Sequence, residues 1–232
     1  MRESIGTNVL HINSSARTGE SSLTRALGAT FLNAYRELAP ETKIVSRDVG
    51  AEPVAPIDEG WIAAAFTPPA ERSEAMRARL RLSDELIDEV VDADLIVIGA
   101  PMYNYGPPAS LKGWIDQVAR IGRTFSFDLS RGDFPIEPIL KDKKLVILSS
   151  RGEFGFEPGG LRAANNALDV ALTSCAHYWG VAPQDIYKIT IEYQEFQDER
   201  HRRSLKRAHQ QAAELALKLT SSSGLQPTAR CG

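Results

Sequence analysis

The stretch Asp94–Arg120, DLIVIGAPMYNYGPPASLKGWIDQVAR, changes character twice. Leu95-Ile-Val-Ile98 is apolar at every position. A strand in a half-exposed sheet alternates, whereas one covered on both faces reads as a continuous apolar run. Pro101 ends the run, and a loop with Tyr103, Asn104 and Tyr105 follows. After Gly106-Pro107-Pro108 a helical pattern begins at Ala109. Strand, loop and helix in that order form half of a right-handed crossover between parallel strands. A stiff, aromatic loop at a strand end is also where function tends to sit.

The same alternation extends both ways. Asn8–Asn13 reads as a first strand and Lys43–Asp48 as a second; Asp94–Ala100, Lys144–Ser150 and Asp185–Ile191 follow. Between them the apolar spacing predicts helices over Ser22–Leu38, Glu71–Val91, Ser110–Ile121 and Gly160–Trp179, with a last one over Asp198–Leu219. A short helix fits Asp58–Phe66, and Arg123–Pro138 reads as an ordered excursion. Residues from Thr220 on are polar and read as a frayed tail. No repeat and no linker divides the chain, so one domain is expected. The fold class is α/β: a doubly wound, flavodoxin-like five-stranded parallel sheet with helices on both faces. Such sheets bind ligands outside the carboxyl ends of the strands, where the strand order reverses.

Composition narrows the function. The chain has 232 residues, 43% hydrophobic and 25% charged, with net charge −3. That balance argues against a surface for nucleic acid, which needs a basic excess. Cys175 and Cys231 give neither a disulfide framework nor a metal spacing, which suits a reducing compartment. The N-terminus lacks a signal-like apolar stretch, and no apolar run is long enough to span a bilayer. A cytoplasmic protein without membrane contact is expected.

Three loops then face one sheet edge. After the first strand, Ser14–Thr24 is dense in hydroxyls and runs into a helix. Ser15, Ser22, Leu23 and Thr24 with Arg17 form a candidate phosphate site, because a helix N-terminus offers free amides and a positive dipole end. Helix capping alone would also explain Ser22 or Thr24. No Walker or dinucleotide glycine fingerprint is present. After the third strand, Pro101, Met102, Tyr103, Asn104 and Tyr105 offer flat faces and backbone donors suited to a planar ring; packing at the core edge is the plainer alternative. After the fourth, Ser150, Arg151, Gly152 and Glu153 complete the group. A phosphate at one loop and a flat ring between the others fit a mononucleotide, and FMN best.

These residues resemble the FMN-dependent NADH azoreductase and NAD(P)H:quinone oxidoreductase family. The likeness rests on Pro101-Met-Tyr-Asn-Tyr105, on Ser110-Leu-Lys-x-Trp114-x-Asp116, on Leu82–Leu86, on the serine loop and on Ser150-Arg-Gly152. It covers roughly Val9 to Leu219. Glu153 departs from the family's usual second glycine and places a carboxylate toward the expected flavin edge. The resemblance implies bound FMN, NADH or NADPH as hydride donor, quinones and azo compounds as acceptors, and two-electron ping-pong transfer. It implies a homodimer, for which Trp61, Phe66, Phe125 and Phe127 are apolar candidates; packing within the chain would use the same residues. A flavodoxin-type electron carrier and an NAD(P)H:FMN reductase remain as alternatives.

No histidine is assigned to catalysis. His11 reads as a satisfied core residue, His177 as packing beside Tyr178 and Trp179, and His201 and His209 as part of a solvated helix. The run Arg200-His-Arg-Arg-Ser-Leu-Lys-Arg207 reads as that helix's exposed face, balanced by Asp198 and Glu199 at its start.

Overall fold

A computed structural model describes residues 7–222. Strands β1 (Asn8–Asn13), β2 (Lys43–Asp48), β3 (Leu95–Pro101), β6 (Lys143–Ser150) and β7 (Val181–Ile191) form a parallel sheet in the order β2-β1-β3-β6-β7. This is the doubly wound order expected, with the reversal between β1 and β3. Asn13 lies opposite Gly99, and Pro101 opposite Ser150. The carboxyl ends of β1, β3 and β6 are therefore neighbours, and so are the loops that leave them.

Both faces are covered, and alternate residues of each strand show it. Val9, Leu95, Val97, Val146 and Leu148 pack under α1 (Leu23–Leu38) and α6 (Glu199–Ser222), which contribute Leu27, Phe31, Ala208, Ala212 and Ala216. Leu10, Ile12, Ile96, Ile98, Leu145 and Ile147 pack under α3 (Glu74–Asp92), α4 (Ala109–Val118) and α5 (Ala167–Cys175). The continuous apolar runs follow from this double cover. Trp114 of α4 and Trp179 meet in the second layer with ring centroids 5.3 Å apart.

Helix ends differ from expectation for local reasons. Helix α3 starts at Glu74, not Glu71, because Ser73 caps it by accepting the Met76 N–H at 3.2 Å. Helix α4 stops at Val118: the Thr124 hydroxyl accepts the Arg120 N–H at 2.9 Å and donates to the Val118 carbonyl at 3.0 Å, satisfying the groups that another turn would use. The helix expected over 160–179 is broken. Pro158-Gly159-Gly160 stays in a loop, and Asn166 then caps α5 by accepting the Asp169 N–H. Gly180, at φ +78°, ends the last short turn, where a side chain would meet the Leu140 carbonyl carbon at 2.6 Å. Helix α6 runs past Leu219 to Ser222; the remainder of the tail lies outside the described residues.

The Arg123–Pro138 excursion is ordered, as a hairpin of β4 (Phe125–Phe127) and β5 (Ile136–Pro138). Asp84, within the Leu82–Leu86 segment, pairs with both Arg120 and Arg123 and ties the hairpin's base to α3. Trp61, on α2 (Glu59–Phe66), is buried, and its indole N–H donates to Gln117 Oε1 at 2.8 Å. Phe125 packs against Tyr178, whereas Phe66 and Phe127 are exposed.

Three histidines depart from the sequence reading. His11 is buried, but its Nε2 has no hydrogen-bond partner among the described residues. Gly28 of α1 packs against that nitrogen, and a Cβ there would lie 3.0 Å from it. His201 and His209 are half-buried, because the face of α6 that carries them packs back on the domain. His201 Nδ1 lies 3.1 Å from the Glu192 carbonyl oxygen, and His209 Nδ1 lies 2.7 Å from the Thr30 hydroxyl.

Candidate cofactor site

A cavity of about 220 Å³ opens at the switch point. Ser15, Arg17, Ser21, Ser22 and Leu23 line it from the first loop, Pro101–Tyr103 from the second, and Ser150 and Gly152 from the third. Leu23 and Pro101 are 78 positions apart in the chain and Tyr103 and Ser150 are 47 apart, yet the sheet register makes the three groups adjacent.

Local chemistry shapes the first loop. Ser22 is the N-cap of α1, with its hydroxyl accepting the Arg25 N–H at 3.4 Å. Leu23 and Thr24 open the helix, so their N–H groups have no intrahelical acceptor and belong to its positive end. Thr24 itself is buried, its hydroxyl 3.4 Å from that of Ser22. The loop is held from below by Arg25, which donates to the Arg17 carbonyl at 2.8 Å, to the Ser15 carbonyl at 2.9 Å, and to both carboxylate oxygens of Asp48. That ion pair holds the Asp48 carboxyl below its ordinary range. Gly50 backs the loop so closely that a Cβ would lie 2.2 Å from the Ser15 carbonyl oxygen.

The second loop is a tight turn. Tyr103 and Gly106 exchange backbone hydrogen bonds at 3.0 Å each, with Asn104 (φ +49°) and Tyr105 (φ +69°) between them. Positive φ at both central residues is the mark of a type I′ turn. The left-handed conformation falls on Asn104 and Tyr105, not on Gly106. Asparagine tolerates it; for a tyrosine it is strained. The turn is held in place: the Tyr105 carbonyl accepts the Leu168 N–H at 2.9 Å, and the Tyr103 hydroxyl accepts the Ala16 N–H at 3.2 Å. The latter bond joins the second loop to the first. Tyr103 also lines a second, mainly apolar cavity of about 640 Å³ with Asn104, Pro107, Ala109 and Lys112.

The third loop divides its residues. Gly152 faces the cofactor cavity; a Cβ there would meet Glu195 Cγ at 2.7 Å. Arg151 turns away, to Asp169 at 2.7 Å and over the Phe156 ring. Glu153 pairs with Arg162 at 2.7 Å and accepts from the Tyr105 hydroxyl at 3.4 Å. Its charge is thus matched, and it does not line the cavity. The structure brings together Ser15, Arg17, Ser22, Leu23, Pro101, Met102, Tyr103, Ser150 and Gly152; Thr24, Asn104, Tyr105, Arg151 and Glu153 surround that group.

Gln194 and Glu195 also line the cavity, and the sequence reading missed them. They follow β7, and backbone bonds from Gln194 N to the Arg151 carbonyl (3.2 Å) and from Glu195 N to the Gly152 carbonyl (3.0 Å) carry them in. The one available signal was their position at a fifth strand's carboxyl end. The donor set suits FMN: hydroxyls, helix-start amides and Arg17 for a phosphate, and two backbone loops with a tyrosine wall for a flat ring.

Comparison with known proteins agrees. An FMN-dependent NADH:quinone oxidoreductase 2 of Colwellia psychrerythraea is 48% identical over 217 residues, covering 91% of this chain and 98% of its own. A protein of the same description from Idiomarina loihiensis is 46% identical, covering 92% and 91%. Among solved structures, an azoreductase of Bacillus anthracis superposes with a TM-score of 0.80 at 23% identity, covering 91% of this chain and 99% of its own. The profile of the family described as flavodoxin-like fold matches residues 7–215, nearly the whole described sheet and its helices, and the chain belongs to that family.

Proposed function

We propose that this protein is an FMN-dependent oxidoreductase that takes hydride from NADH or NADPH and reduces quinones and azo compounds. The observation that carries the reading is the convergence of the serine loop, the Tyr103 turn and the Ser150–Gly152 loop on one cavity at the switch point. The quinone oxidoreductase relatives, at up to 48% identity over nearly the full chain, support it.

Bound FMN supplies the two-electron chemistry. The chain supplies binding and orientation. Ser15, Ser22, the amides of Leu23 and Thr24, and Arg17 would hold the phosphate. Pro101–Tyr105 and Ser150–Gly152 would flank the ring, with backbone amides of Tyr103–Tyr105, Arg151 and Gly152 as fixed dipoles. Glu153, neutralised by Arg162, anchors the Tyr105 side. The apolar cavity beyond Tyr103 suits the flat ring of a hydride donor and then that of an acceptor. Sequential use of one cavity gives a ping-pong order. We place the protein in the cytoplasm as a homodimer; the exposure of Phe66, Leu129 and Phe134 supports such an interface.

The test is a visible spectrum of protein incubated with FMN and desalted. Flavin absorbance should be retained, bleach on addition of NADH without oxygen, and return on addition of menadione or methyl red. A protein that stays colourless after this incubation refutes the reading.

A further inference from the structure

A second cleft, of about 660 Å³, lies along β7 and α6. Five cationic side chains line it, Arg151, Lys188, Arg200, Arg203 and Arg207, against the carboxylates of Glu157, Asp169 and Glu192. Two of the carboxylates are already engaged. Asp169 holds Arg151 at 2.7 Å and Lys188 at 3.3 Å. Glu192 accepts the Gly155 N–H at 3.1 Å, and burial pushes its carboxyl above the ordinary range.

The α6 arginines that line the cleft share one side of it, Arg200 half-buried and Arg203 and Arg207 exposed at its rim. Arg200, Arg203 and Arg207 recur at i, i+3 and i+7, which puts them on one face of α6. Arg200 is fixed by Asp198 and lies over the rings of Tyr193 and Phe196. Although Arg200 and Arg202 beside them are ion-paired, the guanidinium groups of Arg203 and Arg207 have no ion-pair or hydrogen-bond partner among the described residues. Between them Ser204 accepts the Glu192 N–H at 2.9 Å, leaving its own proton to donate. At the inner wall Arg151 is 3% exposed, and its Nε is buried without a partner among the described residues.

Unpaired guanidinium groups around a recess, with hydroxyl donors between them, are equipment for phosphate groups. A lone phosphate would fill a small part of this volume, which lies in the range of small-molecule sites. The cleft is separate from the cofactor cavity. The backbone bonds between residues 151–152 and 194–195 form a partition, with Gly152 and Glu195 facing one side and Arg151 and Glu192 the other. We propose that this cleft binds a phosphorylated small molecule of about nucleotide size, in addition to the cofactor.

The test is calorimetric titration of FMN-saturated protein with adenosine 2′,5′-bisphosphate, pyrophosphate and, as the neutral control, adenosine. A phosphorylated probe should bind saturably at one site, more weakly as salt rises, with the flavin absorbance unchanged. Arg203→Ala with Arg207→Ala should weaken it by roughly tenfold or more, since each charged hydrogen bond is of that order. Equal affinity for both phosphorylated probes assigns the site to bare phosphate groups; preference for the bisphosphate assigns it to a nucleotide. The proposal is overturned if neither phosphorylated probe binds, if adenosine binds equally well, if the probe displaces FMN, or if the double variant binds unchanged. The readout involves no turnover, so its failure leaves the oxidoreductase reading standing; should the protein not retain FMN, the same titration and double variant on the cofactor-free protein test the cleft by itself.

Discussion

Gly50 shows how one residue sets the site from outside it. Its missing Cβ leaves room for the Ser15 carbonyl, which a side chain would approach to 2.2 Å. Gly50→Ala should push the serine loop outward, cost about 1–3 kcal/mol of stability, and weaken FMN binding; flavin fluorescence titration checks the second effect. His11 carries a pH dependence. Burial, with the nearby Arg25 charge adding, pushes its pKa down to about 4 from 6.5. The folded state then binds fewer protons than the unfolded one between those values, so stability falls as pH drops through that window. The full loss is on the order of 3 kcal/mol below it. His11→Leu should flatten the pH dependence of the urea midpoint between pH 7 and pH 4. Sequence alone placed His11 in the core. That its Nε2 finds no partner among the described residues only the tertiary structure shows.

At the scale of elements, the start of α1 carries the Ser22 cap and, on the proposed function, a phosphate site as well, and substitution can separate the two. Ser22→Ala should cost the cofactor-free protein about 1 kcal/mol, because a cap is lost. Ser22→Asp should keep the cap and much of the stability, yet weaken FMN binding more than alanine does, by setting a carboxylate beside the phosphate. Urea unfolding without cofactor and FMN titration read the two effects apart. The strands and most helices were legible because their periodicity is local. The broken helix before Trp179 was not: the Leu168–Leu172 spacing is helical, but Pro158-Gly159-Gly160 and the Asn166 cap confine the helix to nine residues. The run Arg200–Arg207 read as a solvated face, and Arg202, Arg203, Lys206 and Arg207 are indeed exposed, whereas Arg200, His201, Ser204 and Leu205 are half-buried. A helical period says which side chains share a face, not that β7 and Arg151 wall that face into a cleft.

For the whole molecule, cofactor and core are linked through stability. Both apolar layers are close-packed, and Trp114 against Trp179 is the largest pair in one of them. Trp114→Ala should cost about 3–5 kcal/mol, a large share of the roughly 5–15 kcal/mol typical of a domain. Saturating FMN at a hundred times its dissociation constant should return about 2.7 kcal/mol, so thermal unfolding with and without FMN should show the variant partly rescued.

The sequence by itself determined the sheet, its double cover and the three loops that meet at the switch point. Apolar runs, prolines and capping serines act over a few residues and can be read in order. Tertiary structure decided which side chains face the cavity. Arg151 and Gly152 are adjacent in sequence but serve opposite sides of a partition, and Gln194 and Glu195 enter the cofactor cavity only through backbone pairing with that loop. The left-handed turn at Asn104 and Tyr105, where glycine stood next in line, is likewise imposed by bonds to Ala16 and Leu168 far along the chain. Side-chain direction at a loop is set by long-range hydrogen bonds, and no local pattern encodes them.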